Sequence, residues 1–512
     1  MIPAGDGNRD RRLLGAVLLA AAVASLVAAW PSLGAGFQSD DFRWLWHARF
    51  DGPGDLARIF RETLGFYRPF TALLWAFDLA VAGPRPLAFS LTNLGLHVLV
   101  LGLFAGVGAR LSGDRRVAAA AVALAALSYH YSVNAIVWIS GRGALLATAA
   151  ALACLWLWDR WCRGEAGIGA YAGACASLAV ALGSYEAVAG LPLLMLLMVR
   201  WRGGRPLAGA AGPLALAIVY LVARLAVGAR QPWAPGQGYG YELAAVAPNL
   251  LEYAGRVATA GAIVVALLLI AAVPVGAAAR VARSALDGGL GVARIGGAWF
   301  LIGIAPALPV PSRSSLYVYF AALGAHLVMG AAAVAGATTL WRAQRVAAGA
   351  VAGLLALIML IAWPLFAWDR NLRLVRQGRL ASAAIDDMRR LVADPALSEC
   401  LVLIDDPRAQ PNLHAAFGND LRWLGAHVYG ETPSDRIVYE TGQEPGAPDQ
   451  GPPAVGEGPA ARGQAPQLVT PALESCARRR FFRFVPDPAS AREGSLQPES
   501  GAGSSGERAP IR

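Results

Sequence analysis

The chain has 512 residues, of which 56% are hydrophobic and 15% charged, with a mean hydropathy of +0.47. A charged share so far below the ~25% of soluble domains excludes an ordinary soluble enzyme and, with the long apolar runs, indicates a polytopic membrane protein. The net charge of +10 does not point to nucleic acid, because the basic residues are all arginines grouped in short loops between apolar runs, where they act as topology signals.

Asn8-Arg9-Asp10-Arg11-Arg12 precedes a first apolar run, Leu13 to Trp30, in the manner of a signal sequence. The run is long enough to span, so an uncleaved first helix is expected, with its arginines holding the N-terminus in the cytoplasm. Gly36-Phe37-Gln38-Ser39-Asp40-Asp41-Phe42 follows where that helix leaves the bilayer. Adjacent carboxylates raise each other's pKa unless cations or N–H donors offset the repulsion. Taken alone, the pair reads as a solvated acidic turn or a helix N-cap. Pro53 to Glu62 is amphipathic, and Phe70 to Ala82 is apolar but short and carries Asp78. The first is expected on the outer surface and the second as a surface or re-entrant helix, both within a first outer loop over 31–87.

From Leu87 onward the arginines set the topology. Leu87 to Leu111 runs inward to Arg110, Arg115 and Arg116. The same pattern recurs at Arg160 and Arg163, at Arg200, Arg202 and Arg205, at Arg280, Arg283 and Arg294, and at Arg342 and Arg345. About eleven spans up to Trp368 put every arginine-rich short loop on the cytoplasmic side. Counting Phe70 to Ala82 as a span would reverse all the later loops.

After Trp368 the composition changes. Asp369 to Ala393 is arginine-rich and amphipathic, a surface helix. Cys400 to Ile404, Arg436 to Tyr439 and Arg480 to Val485 read as strands, and Leu421 to Val428 as a helix. The expected organisation is an all-α transmembrane domain over 1–368, then a small α/β domain outside the membrane over 369–486. An insert at 444–467 and the tail 487–512, rich in Gly, Pro, Ser and Glu, are expected to be disordered. Five cysteines show no CxxC spacing, so neither a zinc site nor a redox pair is indicated. Cys400 and Cys476 either pair in an oxidising compartment or stay as free thiols.

Asp40, Asp41, Tyr67, Arg68, Asn93, His97, His130, Asn134, Trp138, Ser140, Arg142, Tyr185, Glu186, Arg313 and Tyr317 all fall at or near the outer face of that topology. Ionisable groups at membrane depth are rare and usually functional. Plainer roles stand beside each. Tyr67, Trp138 and Tyr317 suit an aromatic belt, and Asn93 and His97, four apart on one helix face, suit a helix–helix hydrogen bond. Arg142 is either a flanking interfacial arginine or a phosphate anchor. Glu186 can cap the following helix. Arg313 breaks the positive-inside pattern, which favours a local anionic partner.

The order of several strings is familiar. After the acidic pair come Tyr67-Arg68-Pro69-Phe70-Thr71, Leu91-Thr92-Asn93-Leu94 with His97, Trp138-Ile139-Ser140-Gly141-Arg142, Tyr185-Glu186 and Arg313 with Leu316-Tyr317. Over residues 10–370 the chain resembles the bacterial relatives of the O-mannosyltransferase and transmembrane-tetratricopeptide group, which belong to the GT-C glycosyltransferases. It departs from them at Tyr129 to Asn134, where a His-Pro-x-His-x-Glu string is usual, and at Tyr185, where a lysine is common. It also lacks the repeats.

The resemblance implies an enzyme of the bacterial inner membrane that transfers a sugar from a polyprenyl-phosphate-linked donor, at the outer face, to a hydroxyl of a protein or glycan acceptor. Asp40 or Asp41 would be the base, Arg142 and Arg313 would hold the donor phosphate, and Arg68, Asn93, His97, Trp138, Glu186 and Tyr317 would line the substrate pocket. No cofactor and no metal are assigned, because no decisive ligand set stands out, although a divalent ion remains an option within GT-C enzymes. A lipid-linked saccharide flippase, or a scaffold descended from such an enzyme, is the alternative. The flippase would need polar residues spread to both faces, whereas here they gather on one.

Overall fold

The computed structural model describes residues 7–128, 134–229, 240–272, 290–393, 400–405, 412–417, 421–429, 436–441, 479–486 and 494–498. His130, Arg280, Arg283, Cys476 and the insert at 444–467 lie outside the described residues, and so does any Cys400–Cys476 pairing. The chain forms two compact units. The first comprises Met1–Trp30, Leu56–Leu74 and Ser90–Arg370, and the second Pro31–Asp55, Trp75–Phe89 and Asn371–Arg512.

In chain order the helices are α1 (Gly7–Ala29), α2 (Asp41–His47), α3 (Pro53–Arg61), α4 (Pro69–Ala82), α5 (Pro86–Ser112), α6 (Arg115–Leu127), α7 (Arg142–Cys162), α8 (Ile168–Leu182), α9 (Leu191–Arg202), α10 (Ala211–Ala226), α11 (Val246–Ala272), α12 (Leu290–Ile304), α13 (Ser315–Ala343) and α14 (Arg345–Val392). Among the described residues, six segments are long and apolar enough to cross a membrane: Gly7–Gly34, Pro86–Ser112, Ile139–Cys162, Leu207–Ala226, Leu290–Ala307 and Ser315–Ala343. Several other expected spans correspond to shorter helices. α6, α8 and α9 have 13, 15 and 12 residues, and at 1.5 Å per residue none reaches the ~30 Å of a hydrocarbon core. α4, with 14 residues, is likewise short.

Helix ends in the first unit follow local chemistry. The Asp114 carboxylate accepts the Arg116 N–H at 2.8 Å and starts α6. The Ser314 hydroxyl does the same for Leu316 at the start of α13. α9 stops at Gly203, whose φ of +69° supplies the left-handed C-cap. Small residues bring the helix axes together. A Cβ on either Gly296 of α12 or Gly324 of α13 would stand 2.6 Å from the other's carbonyl oxygen, so these two helices cross backbone to backbone. Gly330 of α13 meets the α6 backbone in the same way, and one turn away on α13 His326 Nε2 lies 2.8 Å from the Ser128 hydroxyl.

The second unit holds a four-stranded sheet of β1 (Cys400–Asp405), β2 (Ile437–Thr441), β3 (Arg479–Pro486) and β4 (Gly494–Pro498), in the order β2-β1-β3-β4. β1 runs parallel to β2 and β3, and β3 pairs antiparallel with β4, with Leu403 opposite Tyr439 and Phe482. Helices α15 (Leu413–Phe417) and α16 (Leu421–Tyr429) accompany it.

Two sequence expectations need correction. Gly494–Pro498, expected within a disordered tail, is a strand, fixed in part by the Leu496 N–H donating to Asp387 at 2.9 Å. And no break separates a last span ending at Trp368 from a surface helix. α14 continues unbroken over Arg345–Val392, 48 residues.

Candidate functional site

The acidic pair stands in a turn of the second unit that ordinary helix capping does not explain. Ser39 has a φ of +49°, the only positive value at a non-glycine position among the described residues. That conformation is costly for a residue with a Cβ and persists only where the surroundings over-determine it. Here they do: the Ser39 N–H donates to the Ala416 carbonyl at 2.7 Å. Asp40 occupies the N-cap position of α2 but makes no side-chain cap bond, and it is half-buried. Asp41 is fully buried in the first turn, and its carboxylate accepts the Gln38 N–H at 2.9 Å. The two acids therefore differ: Asp41 closes the turn, while Asp40 keeps access.

Aromatic rings back this turn. Phe37 meets Phe89 edge-on at 5.3 Å, Trp44 stacks on Trp75 at 6.5 Å, and Phe42 packs against Phe417 and His427. Beside α2 lies a cavity of about 210 Å³ lined by Trp46, Arg49, Leu79, Trp423 and His427 among others. Arg49 lies over the Trp46 ring at 4.2 Å. The His427 ring is pushed down to about 4 by burial and by the nearby Arg389 and Arg49 charges, which fits its Nε2 lying 2.9 Å from an Arg389 guanidinium nitrogen as acceptor.

In the first unit, three of the strings noted in the sequence meet. The Phe70 N–H donates to the Gly183 carbonyl at 3.1 Å, and the Thr71 hydroxyl donates to the Ser184 carbonyl at 2.8 Å. A Cβ at Gly143 would stand 3.1 Å from both Ser184 O and Thr71 Oγ1, so the start of α7 closes the same corner. On this frame Arg68 forms a two-point ion pair with Glu186, Nε to Oε2 at 2.8 Å and Nη2 to Oε1 at 2.6 Å. The Arg68 guanidinium lies over Tyr185 at 4.4 Å, and Tyr185 stacks on Tyr317 at 6.5 Å. Arg68, Glu186 and Tyr317 are thus assembled, and Arg142, fully buried, opens the helix adjoining them. Burial alone would push the Glu186 carboxyl up, but Arg68, helped by Arg224, outweighs it and holds the group below its usual range.

The remaining expected site residues have structural partners. Asn93 is fully buried and turns its amide NH₂ to the carbonyls of Ala135, Trp138 and Ile139 at 3.2–3.4 Å, clamping the turn that carries Trp138. His97 Nδ1 lies 2.6 Å from the Tyr319 hydroxyl, a link between α5 and α13. Arg313 donates to Asn249 at 2.7 Å and pairs with Glu252, which also pairs with Arg256. Glu252 and Arg256 are not among the residues expected from the sequence, although two opposite charges four apart inside an apolar run are a usable signal. Among the described residues this cluster holds two guanidiniums and one carboxylate, a net positive charge. Among the described residues no group of three or more His, Cys, Asp or Glu side chains could hold a metal ion.

No protein-family model matches the chain, and no curated protein is significantly similar to it.

Proposed function

We propose that the protein is a glycosyltransferase of the bacterial inner membrane that moves a sugar from a polyprenyl-phosphate donor to an acceptor hydroxyl. The observation that carries this reading is the acidic turn. A residue held at φ +49° beside one buried and one accessible carboxylate is a strained, over-determined arrangement of the kind found at reaction sites. Asp40 is the base that takes the acceptor proton, and Asp41 fixes the turn that presents it. A phosphate leaving group requires cations. Arg142 supplies one and Arg313 with Arg256 the other, because two guanidiniums sharing Glu252 keep charge to offer. Arg68 serves by holding Glu186, Tyr185 and Tyr317 in place.

The finer topology belongs to the same reading: eleven spans, a cytoplasmic N-terminus, and the sheet-bearing segment outside the membrane, where it meets a protein or glycan acceptor. Incubating membranes that contain the protein with radiolabelled polyprenyl-phosphate sugars tests it. Labelled acceptor is the expected product. Donor crossing the bilayer without transfer would identify a flippase, and neither outcome would leave a scaffold.

A further inference from the structure

Three helices of the first unit end in arginines that converge on one acid. Arg110 in the last turn of α5, Arg163 just after α7 and Arg202 at the end of α9 all bond Asp159, near the end of α7. Arg110 Nε and Arg163 Nε lie 3.1 and 2.8 Å from Oδ2, and Arg202 Nε lies 2.9 Å from Oδ1. The Asp159 side chain is 1% exposed, but those of the three arginines are 23, 35 and 21% exposed. The acid is sealed in, and the cations face outward from it.

Charge does not balance here. Arg110 also reaches Glu165 at 2.6 Å, and Arg205 donates to the Trp161 carbonyl at 3.1 Å. With Arg160, five arginines stand against two carboxylates among the described residues, leaving three positive charges. The C-terminal ends of three helices offset part of this, each worth about half an elementary charge. Donors are also in surplus: each guanidinium has five N–H groups, and one buried carboxylate cannot accept from three of them fully. Tryptophans alternate with the arginines. Arg205 lies over Trp161, Arg160 over Trp156 and Arg294 over Trp201, at 5.4, 5.4 and 4.6 Å. Interleaved arginine and tryptophan at the ends of apolar helices mark the headgroup level of a bilayer. The geometry is fixed, since a Cβ at Gly204 would collide with the Cys162 carbonyl, so the turn after α9 rests directly on the end of α7.

We infer that this cluster binds the phosphate of an anionic phospholipid. Asp159 is the inner counter-ion that orients the guanidiniums, and the lipid phosphate is the outer one. A guanidinium matches two phosphate oxygens at once, and basic pockets between membrane helices recognise anionic headgroups by this chemistry. A zwitterionic lipid brings its own ammonium and leaves the surplus uncompensated. The site is independent of the proposed transfer reaction.

The test uses the full-length protein purified in a non-ionic detergent. Native mass spectrometry with phosphatidylglycerol and with phosphatidylcholine reads retained lipid, and thermal unfolding with each lipid and with inorganic phosphate reads stabilisation. Phosphatidylglycerol is expected to be retained and to raise Tm, and phosphatidylcholine and inorganic phosphate to do neither. R163Q/R205Q, which leaves Arg110 and Arg202 on Asp159, should weaken phosphatidylglycerol binding about tenfold, or 1.4 kcal/mol. Equal retention of phosphatidylcholine, an equal Tm rise with inorganic phosphate, or unchanged binding by the double variant would each overturn the assignment. The wild-type comparison of the two lipids decides the matter even where the double variant is unstable.

Discussion

Gly36 and Gly378 meet backbone to backbone. A Cβ at Gly36 would collide with Ser382 Oγ and stand 2.5 Å from the Gly378 carbonyl oxygen, and a Cβ at Gly378 would stand 2.9 Å from both the N and the O of Gly36. This contact fastens the start of the acidic turn to α14, and the Ser39–Ala416 hydrogen bond fastens its middle to α15. The position of Asp40 and Asp41 is therefore set by chain more than 300 residues away in sequence.

Gly36→Ala should destabilise the protein by about 1–3 kcal/mol, the usual cost of forcing an extra methyl into a closed contact. Thermal unfolding followed by intrinsic fluorescence measures it. A Tm equal to that of the wild type would show that the turn does not rest on α14.

Removing one partner of the Arg68–Glu186 pair should cost more than removing both. Breaking a largely buried pair strands a charge, at about 3–5 kcal/mol, whereas two neutral replacements do not. A double-mutant cycle with Arg68→Gln and Glu186→Gln reads this directly. Additive losses would mean that the two side chains are uncoupled in solution.

Acid should loosen the second unit in a window that His427 defines. Its folded pKa, about 4, lies below the ordinary 6.5, so the neutral ring is favoured in the folded state. The stability tied to it is fully present above pH 6.5 and is lost as pH falls towards 4. The loss is about 1–3 kcal/mol, with the partly exposed ring favouring the lower end. Urea unfolding between pH 7 and pH 4 should show this slope for the wild type and a flatter one for His427→Gln. Identical slopes would place the titration elsewhere.

The sequence made some of this legible. Short runs rich in β-branched, aliphatic and aromatic residues at Cys400–Ile404 and Arg480–Val485 announce β1 and β3, because a buried strand carries its signal within a few residues. The strings Tyr-Arg-Pro-Phe-Thr, Ser-Gly-Arg and Tyr-Glu share one corner. What stayed hidden depends on contacts distant in sequence. The left-handed Ser39 needs Ala416, the strand at Gly494–Pro498 needs β3 and Asp387, and Arg313, in the loop before α13, finds Glu252 on α11. Arginine spacing reports direction but not helix length, so the sequence did not announce that α6, α8 and α9 are as short as 13, 15 and 12 residues.

The measurement that bears most directly on the proposed chemistry compares Asp40→Asn with Asp41→Asn in one assay of sugar transfer from a polyprenyl-phosphate donor, with Tm recorded for both. Asp40→Asn should lose transfer by about a hundredfold or more at unchanged Tm, while Asp41→Asn, which weakens the turn, should lose both transfer and stability. Transfer at the wild-type rate by Asp40→Asn would contradict the assignment of the base.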